Sequence, residues 1–305
     1  MDGWHEKPKI EKKKEPEMSV ILPTEPIPAI KTWEAFDLLI IGDKSIGKSG
    51  FLASIPNYLL LDPEDGMDSY PGYKIKLTNW QDHLDVLRLL SDAPKGKYAG
   101  VGLDTLNSSY DLCSIAVCKK LKVSHPSEVP HGGGWGRVTT EFTNWLTAMR
   151  LLGYHIVGTC HSTITEVKIL ARAYNRWIPA FVGGGPSSTY AGVLKKFKIL
   201  GFMTFDEVTK PATRIADPKT GKMVVDVRVD ATDVTVETRV IHFKPSNYWI
   251  AGDTSHMLPD KIILSDRWEE DWTRFTEAWG TGQGHTLVEE EIQTTGHQVE
   301  GGKDG

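Results

Sequence analysis

Eight consecutive residues carry the clearest chemistry in this sequence: Gly42, Asp43, Lys44, Ser45, Ile46, Gly47, Lys48 and Ser49. They fit G-x-x-x-x-G-K-[ST] at every fixed position, the pattern of a loop whose backbone amides turn inward around phosphate. The glycines permit the turn. Lys48 reaches the β- and γ-phosphates of a nucleoside triphosphate such as ATP, and the Ser49 hydroxyl ligates Mg²⁺. Gly50 opens the helix that follows, whose N-terminal dipole favours a bound anion. The context agrees, with an apolar strand at 36–41 before the loop and a helix from 50 after it.

A metal held by one hydroxyl needs a carboxylate beside it. The apolar run 101–103 ends in Asp104, which places this acid at the C-terminal edge of a strand, where ligands bind in open α/β sheets. The plainer alternative is a helix N-cap. Hydrolysis also needs a group to orient water. Glu64 follows a second apolar strand, 58–61, and is the natural general base, with Asp62 as the structural member; a simple acidic turn is the alternative. A fourth strand, 154–160, runs into His161, which can hydrogen-bond a γ-phosphate or be a satisfied structural histidine. The catalytic candidates are thus Lys48, Glu64 and His161. The metal candidates are Ser49 and Asp104, and the nucleotide set is 42–50.

The elements that must hold these groups are legible as an alternation. Strands at 36–41, 58–61, 99–103 and 154–160 are interleaved with helices beginning at 50 and spanning 80–91, 107–121 and 139–152. Such alternation implies a mainly parallel sheet flanked by helices. From about 192 the pattern becomes β-rich: 193–205, 223–229 and 234–243 alternate with period two around a hairpin-like turn at 217–221, and 268–279 makes a final helix. Within 305 residues, 40% hydrophobic and 25% charged, a sizeable core is affordable, and collagen-like, coiled-coil and wholly disordered classes are excluded. No apolar run reaches membrane-span length, and 1–18 lacks a signal peptide's apolar stretch, so the expected compartment is the cytoplasm, with no membrane partner. Cys113, Cys118 and Cys160 complete neither a disulfide framework nor a zinc site.

The order of these motifs resembles the RecA-like P-loop ATPase core. In that family a glutamate after the strand following the phosphate loop activates water, matching Glu64, and a strand-end aspartate binds the metal, matching Asp104. A polar sensor, usually glutamine, lies where this chain has His161, which is a departure. More narrowly, the chain is similar to phage-encoded AAA-domain ATPases grouped with single-strand-annealing recombinases. That likeness rests on 56–62, Gly134-Trp135-Gly136-Arg137-Val138, Gly158-Thr159-Cys160-His161 and Tyr248-Trp249-Ile250-Ala251-Gly252-Asp253, and covers roughly 35–265. It implies an α/β RecA-like domain at 31–279 with a β-rich C-terminal extension, ATP and Mg²⁺ as cofactors, single-stranded DNA as partner, and assembly into a homo-oligomer, ring or filament. A single-strand-binding protein is a further candidate partner, and the compartment becomes the host cytoplasm if the chain is phage-encoded. Basic residues that flank the aspartate in relatives are missing beside Asp253, where Gly252 and Thr254 stand; Lys244 and Lys261 are the substitutes considered.

Local charge supports the DNA expectation. The net charge is −5, yet 164–200 carries Lys168, Arg172, Arg176, Lys195, Lys196 and Lys198 against Glu166 alone, with Tyr174, Trp177, Phe181 and Tyr190 interleaved and a glycine loop at 183–186. Basic side chains track phosphates while aromatic faces stack bases. The resemblance matches 163–190 to the loop after the fourth strand, which faces single-stranded DNA in that family. Trp135 and Arg137, in the glycine-rich 131–137 segment, fit a first flexible DNA-facing loop. The plain alternatives are an ordinary basic surface and a tryptophan packed on the core. Residues 1–30 and the acidic 280–305 read as tails, the latter a solvating segment or a competitor of nucleic acid. Two other functions stay open: a P-loop NTPase acting on a protein or small molecule, and a nucleotide-gated binding module that hardly hydrolyses.

Overall fold

The computed structural model describes residues 22–169, 172–181, 189–210, 214–216, 223–225 and 234–283. The glycine loop at 183–186, the turn at 217–221, the Tyr190 side chain and the acidic block at 289–291 lie outside the described residues. The chain divides into two units, 1–30 and 31–305; of the first, 22–30 has no helix or strand. All that follows concerns the second.

β1 (Leu38–Gly42) is buried at every residue, as its unbroken apolar run requires in a sheet covered on both faces. There follow α1 (Lys48–Ser54), β2 (Tyr58–Asp62), β3 (Tyr73–Lys76), α2 (Trp80–Asp92), β4 (Gly100–Leu103), α3 (Leu106–Leu121), α4 (Gly133–Leu151), β5 (His155–Ile169) and β6 (Arg172–Pro179). The chain continues through α5 (Thr189–Leu194), β7 (Ile199–Lys210), β8 (Arg214–Ala216), β9 (Met223–Val225), β10 (Val234–His242), β11 (Gly252–Asp253), β12 (Lys261–Ile263) and α6 (Asp271–Ala278). The main sheet runs β12-β10-β7-β1-β5-β4-β2-β3, with β6 added to β5 and β11 to β7. The β3-to-β7 portion is parallel, and β10, β12, β6 and β11 are antiparallel. This is the expected α/β architecture with a mainly parallel sheet flanked by helices.

Alternate residues of each strand feed two cores. Leu39 and Ile41 face a cluster with α2, α3 and α4, built on Val86, Tyr110, Phe142, Trp145 and Met149. Leu38 and Ile40 face the opposite cluster, where Phe51 and Leu52 of α1 meet Trp272 and Phe275 of α6. The phosphate-loop helix is therefore clamped between the sheet and the C-terminal helix. Among the described residues no helix is long and apolar enough to cross a membrane. The three cysteines are free and buried.

Three expectations are corrected. The 131–137 segment is not a flexible loop: α4 begins at Gly133 and contains Trp135 and Arg137. Its glycine at 134 serves close packing, since a Cβ there would lie 2.1 Å from the Pro126 carbonyl. The period-two reading of 193–205 fails at its start, where α5 places Val193 in the core; β7 begins only at Ile199 and joins the parallel core beside β1. The third is the loop matched to 163–190: β5 runs past 160 to Ile169 and pairs back with β6, so its first part is a strand hairpin. The edge strand β3 is an element that the alternation did not announce. It is four residues long and begins and ends in exposed residues, as edges tend to be.

Candidate functional site

The phosphate loop leaves β1 at Gly42 and enters α1 at Lys48. Ile46 is buried in the cluster that α1 and α6 share and pins the loop's middle, while Asp43, Lys44 and Ser45 are exposed. Gly47 has φ +102°, a left-handed conformation that favours glycine. A Cβ at Gly47 would also lie 2.5 Å from Arg239 Nη1, so the guanidinium backs the loop directly. Arg239 comes from β10 and is held in two-pronged fashion by Asp271 of α6, at 2.9 and 3.1 Å, and by the Ser265 carbonyl at 2.5 Å. Gly50 is constrained by packing alone, because a Cβ there would meet the Trp268 Cβ at 2.8 Å.

Lys48 is 5% exposed, and its ammonium donates to the carbonyls of Gly42 (3.0 Å) and Asp43 (2.6 Å). Burial lowers its pKa, opposed by the charge of Asp104 and neighbouring groups. Ser49 Oγ donates to Asp104 Oδ2 at 2.5 Å, and Thr159 Oγ1 donates to Asp104 Oδ1. Burial raises the Asp104 carboxyl above the ordinary range against these two bonds. Asp104 is thus no helix cap; the N-cap of α3 is Thr105. Adjacent hard oxygen donors on Ser49 and Asp104 suit Mg²⁺, which takes one or two protein ligands together with substrate phosphates. Among the described residues no group of three or more His, Cys, Asp or Glu side chains could hold a metal alone.

Asp62 is buried and accepts from the backbone amides of Glu64, Gly66 and Met67, which fixes the turn that presents Glu64. Glu64 Oε1 accepts from the hydroxyls of Thr105 and Ser108, and Oε2 lies 3.2 Å from His161 Nε2. Burial pushes this carboxyl up, but the bonds from His161, Ser108 and Thr105 outweigh it and hold the pKa at about 2. His161 Nδ1 is 3.4 Å from Lys48 Nζ. An ammonium can only donate, so Nδ1 accepts and the ring proton sits on Nε2, facing Glu64. The His161 backbone amide donates to Asn107 Oδ1 at 3.1 Å.

The sheet order explains this convergence. β5 lies between β1 and β4 and is in register with both, with His161 opposite Gly42 and Gly158 opposite Leu103. The structure therefore brings Lys48, Ser49, Glu64, Asp104 and His161 into one bonded cluster. Thr105, Asn107, Ser108 and Thr159 belong to it as well, Arg239 backs its phosphate loop from outside, and none of these five was found by motif reading. The hydroxyl-rich run after Asp104 at a helix start was a usable signal for the first three; nothing local announces Arg239.

The DNA-binding candidates are dispersed. Lys168 and Arg172 are exposed on the β5–β6 hairpin, and Arg176 is half-buried there. Trp135 packs on the core, its ring edge-on to His125 at 5.3 Å. Arg137 lines a cleft of about 470 Å³ between α3 and α4, with Lys120 and Glu141 among its neighbours. Lys195 is exposed just past α5. Lys244 and Lys261 pair with Asp260 and Asp206.

A sequence profile described as an AAA domain matches residues 34–255, well over half of the chain and the whole of the cluster, stopping short of Asp271, the anchor of Arg239. No curated protein matches the chain.

Proposed function

The chain belongs to the AAA-domain family of nucleotide-binding ATPases, and from that premise we propose that it is a Mg²⁺-dependent ATPase coupled to single-stranded DNA. In this reading it acts as a homo-oligomer that promotes annealing or strand pairing, the role of the phage recombination ATPases it resembles. The observation that carries the coupling is one strand. β5 runs unbroken from Thr159 and His161, bonded into the cluster, to Lys168 at the hairpin, and pairs with β6 from Ser162 to Ile169.

The residues divide the work. Backbone amides of 42–50 and the α1 N-terminus receive the phosphates. Lys48 turns from the Gly42 and Asp43 carbonyls toward the β- and γ-phosphates. Ser49 and Asp104 would hold Mg²⁺, which supplies neutralisation of phosphate charge when bound. Glu64 positions the attacking water once one of its oxygens is released. His161 is the group that senses this change, because it contacts Lys48 and Glu64 at once. Displacement of its ring by the γ-phosphate shifts β5 and with it the hairpin.

The test is single-stranded DNA affinity with and without ATP in wild type, Lys48→Ala and His161→Ala. ATP should tighten binding in wild type only. ATP-dependent binding that persists unchanged in Lys48→Ala would sink the coupling. A second reading, a nucleotide-gated module with little hydrolysis, is favoured by one observation: both Glu64 oxygens are already occupied. It predicts tight ATP binding and little effect of Glu64→Gln.

A further inference from the structure

The basic and aromatic residues after β5 do not form one patch. The register sorts them onto two faces of the hairpin. Ile164, Glu166 and Lys168 share a face with Trp177, whereas Thr165 and Val167 share the other with Arg172, Tyr174 and Arg176. The second face therefore carries Arg172, Tyr174 and Arg176 in a row at alternate positions, about 7 Å apart, and Glu166 lies on the opposite face. The aromatics sort as well. Phe181 is buried, and Trp177 packs toward Phe202, with ring centroids 6.3 Å apart. Tyr174 stays at the surface, and a second tyrosine from a distant segment joins it. Tyr248 is 55% exposed, with its ring edge-on to Tyr174 at 6.1 Å.

Tyr248 is held there by its backbone. The Trp177 amide donates to the Tyr248 carbonyl at 2.7 Å, and Ser246 Oγ accepts from the amides of Tyr248 and Trp249. Trp249 lies flat on Phe202, centroids 5.6 Å apart, and its carbonyl accepts from Arg176 at 3.4 Å. The Tyr248 ring is thus displayed by a fixed main chain while making little contact of its own. A large exposed ring on a rigid support, beside guanidinium groups on a hairpin face that carries no acid among its described residues, is built for a flat, anionic polymer.

We infer that Tyr174 and Tyr248 form a stacking site for an unpaired base of single-stranded DNA, with Arg172 and Arg176 holding the flanking phosphates. The inference rests on the DNA-coupled reading above and assigns its contact surface. Stacking on an aromatic face contributes through the base, whereas arginine contacts act through the phosphate whatever the base.

The test uses full-length protein with ATP and Mg²⁺, and two fluorescein-labelled 20-mers: oligodeoxythymidylate and the same strand with central abasic sites. Wild type should bind the abasic strand about 10-fold more weakly, within the range of one stacked base. The double variant Tyr174→Ala/Tyr248→Ala should bind both strands equally, at the abasic level. Tyr248→Phe should keep wild-type behaviour, since stacking does not need the hydroxyl. Arg172→Ala should weaken both strands alike and lower the salt slope by about one. Tyr248 is held through main-chain bonds, so its side chain can be removed without unclipping the segment; circular dichroism and melting checks confirm folding. Wild-type affinity in the double variant overturns the site and leaves the DNA-coupled reading standing. Wild type that ignores single-stranded DNA overturns both.

Discussion

Arg239→Ala is the substitution whose consequence the structure fixes most closely. The Arg239 side chain is 14% exposed and Asp271 is fully buried, so the pair is an internal one. Burial pushes the Asp271 carboxyl up to about 6 against the opposing pull of Arg239. Removing one partner of a buried pair costs about 3–5 kcal/mol. The pH dependence separates this cause from simple loss of packing. Without the guanidinium, Asp271 stays protonated at pH 7. Holding it so costs about 1.4 kcal/mol per pH unit above its unfolded value near 3.8, about 4 kcal/mol at pH 7 and under 2 at pH 5. In the wild type the raised pKa already costs about 3 kcal/mol at pH 7, and it too falls below 2 at pH 5. The sign follows: the native state takes up this proton before the unfolded chain does, so this group's contribution improves as pH falls through about 6. The variant's deficit should therefore narrow by about 1 kcal/mol between pH 7 and pH 5. Gly47 loses its backing in the same variant, so affinity for a fluorescent ATP analogue should fall on the order of 10-fold, about 1.4 kcal/mol. Urea unfolding at the two pH values, with the analogue titration alongside, reads all three effects. A deficit below 1 kcal/mol at pH 7, or one identical at both pH values, would refute the reasoning.

Other consequences are more local. Burial pushes His83 and His155 down to about 4; the unfolded chain takes these protons near pH 6.5, so the stability they confer above 6.5 is lost as pH falls toward 4, about 3 kcal/mol each. His83→Gln should flatten that acid slope in pH-dependent melting. Gly50→Ala places a methyl 2.8 Å from the Trp268 Cβ and should cost about 1–3 kcal/mol by overpacking, measurable by urea unfolding. Trp135→Ala should lower the melting temperature and leave single-stranded DNA affinity unchanged, because the ring packs on the core. A lost affinity would return Trp135 to the DNA surface.

The parts of the cluster that motif reading picked out are those whose chemistry is written in neighbouring residues. The phosphate loop needs its glycines, lysine and serine at fixed spacing, Asp104 directly follows an apolar strand, and Glu64 comes after another with only Asp62 and Pro63 between. That Asp104 meets Ser49 is a consequence of strand order, which the alternation of elements made inferable. What stayed hidden depends on distant packing. Arg239 reaches Gly47 only because β10 returns antiparallel to β7, and its anchor Asp271 lies on α6, beyond residue 255. Composition left 131–137 open between a flexible DNA-facing loop and a connection whose tryptophan packs on the core. Glycine permits a flexible loop, yet Gly134 is required here for helix contact with the Pro126 backbone. Net charge over 164–200 was a sound signal of a basic region, but the two-residue period of the hairpin decides which of those charges share a face.

The central claim, that nucleotide turnover at this site answers to single-stranded DNA, is tested most directly by steady-state ATP hydrolysis with and without single-stranded DNA, in wild type and Lys48→Ala. The account predicts strong stimulation by DNA that disappears in the variant. Hydrolysis indifferent to DNA and abolished by Lys48→Ala would leave an ATPase acting on a protein or small-molecule partner, and would contradict the coupling through β5.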